Sequence, residues 1–187
     1  IRRSAFNESR IESICFPPSL EEIGVDSFYM CDDLEKVEIP ANSNLKIIDR
    51  YAFQLCHFSS INIPASLIQI DFESFALNSY LEHVIIPENS KLQKIGENAF
   101  FSTKITNIFI PASVVELEER CFDNLCNLKK IEIDPKNPYF KIYEDKILLK
   151  KSSLEKESYD ILLFSFKDIR EITIPESIEI ISSSSFY

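Results

Sequence analysis

Two glycines in 187 residues is the first shortage that constrains this chain. Flexible Gly-rich linkers are excluded at that level, so the sequence reads as one domain, 1–187. Tryptophan is absent and methionine occurs once, which leaves an interior built from aliphatic side chains and 15 phenylalanines. No run approaches the 18 or so apolar residues of a membrane-spanning helix, and no basic, apolar leader opens the chain. Basic residues are outnumbered 20 to 30, giving a net charge of −10. Binding to nucleic acid or to anionic lipid, both of which need clustered Lys and Arg, is disfavoured. Lys129 and Lys130, the one adjacent basic pair on a repeat strand, read as a solvated edge. There are two histidines and five cysteines, with no Cys-x-x-Cys pair. An odd count without that pair argues against a zinc site or a disulfide scaffold. No Gly-rich phosphate loop and no metal-ligand spacing is found. His57 adjoins Cys56, but neighbours on an extended segment point to opposite sides. His83 has no acid or nucleophile programmed beside it. No catalytic, cofactor-binding or metal-binding residues are therefore expected, and the protein is read as not an enzyme.

What the chain does have is repetition. One apolar word occurs six times, each with eight residues from first to last member: Leu20/Ile23/Phe28, Leu45/Ile48/Phe53, Leu67/Ile70/Phe75, Leu92/Ile95/Phe100, Val114/Leu117/Phe122 and Ile178/Ile181/Phe186. Between the copies lies a second word, usually closed by proline. It reads Ile11/Ile14/Phe16/Pro17, Leu34/Val37/Ile39/Pro40, Phe58/Ile61/Ile63/Pro64, Leu81/Ile86/Pro87, Ile105/Ile110/Pro111, Leu128/Ile131/Ile133 and Ile169/Ile174/Pro175. Apolar residues two apart mark a short strand with one face inward. A fixed frame recurring every 22 to 25 residues marks a solenoid, each unit burying its face against its neighbours. Three residues past each strand stands a small polar group, at Ser19, Asn42, Ser66, Asn89, Ser113 and Ser177, placed to satisfy backbone groups where the chain turns inward.

The combined pattern, clearest in Leu92–Phe100 (LQKIGENAF) and Leu34–Pro40 (LEKVEIP), resembles the BspA-like leucine-rich repeat family over roughly 1–134 and 169–187. The resemblance implies a right-handed leucine-rich-repeat superhelix, here of about seven coils. It also implies surface or secreted proteins of bacteria and protist parasites, several linked to adhesion to host or partner cells. The chain departs from the family where Gly follows the inner Ile. Only Gly24 and Gly96 keep it, and Asp49, Asp71, Glu118 and Ser182 stand there otherwise, residues of which Asp tolerates positive φ best. Expected are one parallel sheet of Pro-ended strands, a second short extended side from the L-x-x-I segments, and tight or 3₁₀-like turns at the Phe corners. Phe28, Phe53, Phe75, Phe100 and Phe122 are expected to stack coil upon coil. Ile1 falls inside a repeat and the chain stops one residue past a repeat Phe, which reads as a segment of a longer array.

One stretch breaks register. Between Asp134 and Ile169 the chain carries a surplus, read as an inserted antiparallel hairpin or three-stranded meander over 135–168. Its strands are Tyr139–Tyr143, Ile147–Lys151 and Tyr159–Phe166, with Ser152–Ser158 as the exposed loop. Among the cysteines, Cys31, Cys56, Cys121 and Cys126 read as small inward side chains, and Cys15 points outward.

Outward positions of the strand word form two columns across the coils: Cys15, Glu38, Asn62, Ile85, Phe109, Glu132, Thr173, and Ser13, Lys36, Ser60, His83, Asn107, Lys130, Glu171. Ile85 and Phe109 fall on neighbouring coils with His83 and Asn107 beside them. Ringed by Lys36, Glu38, Lys130 and Glu132, they have the layout of an apolar anchor with a polar rim. The expected function is non-catalytic recognition of a protein or glycan at the cell surface. The alternatives are an intracellular scaffold acting through array geometry and, less favoured, a hydrolase site on the insertion.

Overall fold

The computed structural model describes residues 1–167, 169–183 and 185–186. The chain winds into a β-solenoid of about seven turns, with no helix among the described residues. The L-x-x-I segments give two-residue strands: β2 (Glu22–Ile23), β4 (Ile47–Ile48), β6 (Gln69–Ile70), β8 (Lys94–Ile95) and β10 (Glu116–Leu117). They pair in parallel into one five-stranded sheet, Ile23 beside Ile48 and Ile48 beside Ile70. The Pro-ended segments give β1 (Ser13–Cys15), β3 (Lys36–Glu38), β5 (Ser60–Asn62), β7 (His83–Ile85), β9 (Asn107–Ile110) and β11 (Lys130–Ile133). In β3, β5 and β7 the central aliphatic residue is buried and the flanking ones are exposed, as alternation along a strand requires.

Between the two walls runs the phenylalanine spine. Phe28, Phe53, Phe75 and Phe100 are fully buried, with neighbouring ring centroids 5.1–5.6 Å apart and planes within 11° of parallel. Phe6 extends the stack, 5.0 Å from Phe28. It is a repeat phenylalanine that the sequence words did not include. Phe122 departs from the expectation: it is buried but meets Phe164 edge-on at 6.0 Å. Its aromatic partner is thus a residue of the inserted stretch and not a repeat phenylalanine.

The Phe corners are built from hydrogen-bonded turns with a left-handed residue two places before and two places after each ring, as at Asp26 and Met30 or Tyr51 and Leu55. Alternate amides reach the next coil instead: Asp26, Phe28 and Met30 donate to the carbonyls of Arg50, Ala52 and Gln54. The left-handed residues are thus never at the family's glycine position. Neither Gly24 nor Gly96 has positive φ. Gly96 serves close approach, since a Cβ there would lie 2.7 Å from the Asp71 carbonyl carbon and the Phe72 nitrogen. Where Asp49 and Asp71 stand instead, each carboxylate accepts from the next amide, that of Arg50 or Phe72.

The small polar residues do the expected work in part. Ser66, Ser113 and Ser177 donate to the carbonyls of Leu45, Leu92 and Tyr159. In the two coils with longer connectors the next residue takes over: Ser43 and Ser90 accept from the amides of Leu45 and Leu92. A second buried column stands three residues after each Phe. Cys31 and Cys56 donate to the carbonyls of Phe6 and Phe28, and Asn78 reaches those of Phe53 and Phe75. Burial pushes the Cys56 and Cys121 thiols up, away from ionisation. Cys126 is exposed rather than inward, because Leu125 fills the inward slot of that coil. Cys15 is exposed as expected, and all five thiols are free.

Beyond β11 the chain forms a mixed sheet, β12 (Phe140–Tyr143), β13 (Ile147–Lys150) and β14 (Ile161–Ser165), paired antiparallel in sequence order. Positive φ at both Glu144 and Asp145 turns the first hairpin. The last L-x-x-I strand, β15 (Ile180–Ile181), pairs in parallel with β14. Two expectations fail at this end. The segment Ile169–Pro175 forms no strand; Ile169 and Ile172 pack instead against a small cluster of Ile147, Leu149 and Leu162. Thr173 and Glu171 therefore do not continue the outward columns. Phe186 and Ile181 are about half exposed, unlike their counterparts in the earlier coils.

Candidate partner-binding surface

Within each run of paired strands, the register sets neighbouring outward positions side by side. Ser60 lies beside His83 and Asn62 beside Ile85; Asn107 lies beside Lys130 and Phe109 beside Glu132. The Pro-ended strands do not form one sheet, however. They divide into β1–β3 and β5–β7–β9–β11, and within the second group β7 and β9 share a single pair, His83 with Asn107. Both interruptions follow coil length. From one repeat Phe to the next, the coils of Phe28 and Phe75 run 25 residues and those of Phe6, Phe53 and Phe100 run 22. In the longer coils Leu45 and Leu92 come five places after proline rather than three. A longer connector relaxes the constraint that holds a strand at ladder distance from the next one, and the pairing lapses at β3/β5 and beyond His83 at β7/β9.

The second interruption opens a depression of about 260 Å³ lined by His83, Ile85, Asn107, Phe109 and Glu132, with buried Val84 and Ile108 at its floor. Ile85 is 56% exposed. Phe109 is partly buried and packs against the edge of the core. A second depression of about 430 Å³ lies on the other side of Ile85, lined by Ile39, Ala41, Ile63, Ala65 and Pro87. Sequence reasoning missed it, although the repeated Pro-Ala pairs at 40–41 and 64–65 mark small apolar residues just past each strand. Ile85 divides the two hollows.

The charged residues are split by the sheet interruption. Lys130 and Glu132 flank Asn107 and Phe109 directly, whereas Lys36 and Glu38 sit on β3, separated from Ile85 by β5. Each pair neutralises itself along its own strand, at 2.5 Å for Lys36–Glu38 and 2.6 Å for Lys130–Glu132. Hydrogen bonding to Glu38 raises the Lys36 ammonium, and the same bond lowers the Glu38 carboxyl. The result is a centre without Lys, Arg, Asp or Glu, made of Ser60, Asn62, His83, Ile85, Asn107 and Phe109, on a strongly acidic protein. His57 faces away from Cys56, its ring against Tyr80 at 5.2 Å. Among the described residues no group of three or more His, Cys, Asp or Glu is placed to hold a metal ion, and no helix is long and apolar enough to cross a membrane.

Solved structures share this architecture. A pneumococcal vaccine antigen, PcpA, aligns over 94% of this chain and 42% of its own, at 22% identity and a TM-score of 0.81. A leucine-rich cell surface protein of Faecalibacterium prausnitzii aligns over 95% and 53%, at 21% identity and 0.65. A leucine-rich repeat protein of Bacteroides ovatus aligns over 99% and 49%, at 23% identity and 0.60. The chain thus spans about half the length of these structures, and at such identities the likeness is one of fold. No curated protein matches the sequence. A sequence profile of the BspA type leucine-rich repeat region matches residues 1–129 and 89–187, in six copies. Paired parallel walls, a stacked phenylalanine spine and that match together make the chain a member of the BspA-type leucine-rich repeat family, whose repeats are generally non-catalytic.

Proposed function

We propose that this chain is a non-catalytic recognition module of a surface or secreted protein, binding a protein or glycan through the outward face of its Pro-ended strands. Ile85 and Phe109 form the anchor, His83 and Asn107 the polar contacts beside it, and the self-paired Lys130–Glu132 and Lys36–Glu38 the rim. The observation that carries the reading is the ladder gap beyond His83. It accompanies a hollow with an apolar wall beside exposed Ile85, and the second depression lies on the other side of the same residue. Two of the fold relatives are described as a cell surface protein and a vaccine antigen, which supports a place outside the cell. Because the centre holds no Lys, Arg, Asp or Glu, affinity there derives from desolvating Ile85 and Phe109 more than from ion pairing, and changes little with salt.

Ile85→Ser and Phe109→Ala variants test this against a ligand verified by glycan-array and surface-protein screening. Each is expected to lose about tenfold or more in affinity at an unchanged circular-dichroism melt for Ile85→Ser. Wild-type affinity in both variants would remove this face from the account.

A further inference from the structure

The Phe corner carries a surface that the strand-face reading does not use. Two residues after each ring the chain passes through a left-handed position, at Glu8, Met30, Leu55, Leu77, Ser102 and Asn124. Polar residues serve there in the outer coils. In the three consecutive coils between them stand Met30, Leu55 and Leu77, with φ of 55°, 58° and 61°. Long apolar side chains are disfavoured in this conformation, which Asn, Asp and Gly adopt more readily. Met30 and Leu77 are also 38% exposed. Backbone bonds hold the three on adjoining coils: the amides of Met30, Leu55 and Leu77 donate to the carbonyls of Gln54, Ala76 and Phe101. Exposed Tyr80 widens the ridge, and the Lys104 ammonium lies 5.5 Å from its ring centroid.

The ends of the ridge carry opposite charge. Met30 shares a depression with Glu8, Asp32 and Asp33, balanced by Arg10 alone. Three coils further on, Lys104 is the exposed cation beside Tyr80. The midpoint falls between Leu55 and Leu77. A twofold axis there sets the coil of Asp32 and Asp33 against the coil of Lys104, and Leu55 against Leu77 of the other copy. A surface apolar at its centre and charged with opposite sign at its two ends is complementary to itself under that rotation.

We infer that the Met30–Leu55–Leu77 ridge is a self-association surface, occupied by a second copy of this chain docked antiparallel across it. The inference goes beyond the strand-face reading and uses none of its residues, so the two fail separately. The acidic excess of the chain opposes association in general, and the paired Asp32/Asp33 and Lys104 contacts fix the register in which it is overcome.

Sedimentation velocity on the whole chain tests this. A monomer–dimer equilibrium is expected within a concentration series reaching about 300 μM, the weak regime suited to a small patch. Leu77→Glu, with Leu77→Ser as the milder variant, is expected to weaken the dimer about tenfold or more. Lys104→Glu weakens it as well. Lys104→Glu combined with Asp32→Lys and Asp33→Lys restores it, because the charges have exchanged places. Circular-dichroism melts matching the wild type confirm that each variant is folded. A chain monomeric throughout the series, a dimer untouched by both Leu77 variants, or a charge exchange that fails to restore association would each overturn the inference.

Discussion

The coils of Phe6 to Phe100 and the stretch beyond Phe122 solve the same burial problem in different ways. In the first, one residue type recurs at one position and rings stack face to face, so each coil is completed by its neighbours. In the second, Phe122 meets Phe164 edge-on, and a mixed sheet with its own small cluster replaces the column. The regular part draws its stability from nearest-neighbour contact. The irregular part depends on individual polar clamps. Asn137 is one: its amide donates to the carbonyls of Pro111 and Val114, and its oxygen accepts from the amides of Tyr139 and Phe140. Asp160 is the other, buried and bonded to Ser152 and Lys156, so that the loop is held against β14.

That contrast can be broken at several strengths. Phe53→Ala, in the middle of the stack, should cost about 3–5 kcal/mol in urea unfolding, from lost burial and an unfilled cavity. Asn137→Ala should cost about 2–3 kcal/mol, since it strands buried backbone groups on both sides of the junction between array and sheet. Acid should affect the second region selectively. Burial raises the Asp160 carboxyl, but bonds to Lys156 and Ser152 outweigh it and hold the group at about 2, below its ordinary value of 3.8. A depressed folded-state value means that this stabilisation is complete above about pH 4 and lost as pH falls toward 2. Hydrogen exchange of β14 amides between pH 5 and 2 should lose protection over that window, and Asp160→Asn should remove the pH dependence. Phe186→Ala should shift stability by less than about 0.5 kcal/mol, because its ring is half exposed although it is spelled like a spine residue. A large effect there would erase the distinction between the two regions.

Much of the fold was legible because apolar periodicity is local. Leu45/Ile48/Phe53 and Phe58/Ile61/Ile63 declare two walls and a corner without reference to anything distant. The meander strands were legible for the same reason, their turn lying at Glu144-Asp145. What could not be read depends on neighbours. Phe186 holds the same place in its word as Phe53, yet it is half exposed where Phe53 is fully buried, because burial depends on what packs on either side and not on the word itself. The lapse in pairing beyond His83 follows from the longer connectors after Pro40 and Pro87, whose alternation is visible in the sequence but whose effect on strand spacing is not. Phe109 takes the outward position that the period assigns it, but its partial burial against the core could not be read from the period. The left-handed positions went unseen because no glycine marks them: Met30, Leu55 and Leu77 are held there by bonds to the next coil.

Hydrogen exchange in a Phe75→Ala variant tests most directly that these coils stabilise one another through the stacked rings. Protection should fall together at the amides of Phe53 and Leu55 on one side and Gly96 and Phe101 on the other, while β13 and β14 keep theirs. Loss confined to the coil of Phe75, or spread evenly from Phe6 to β14, would contradict the account.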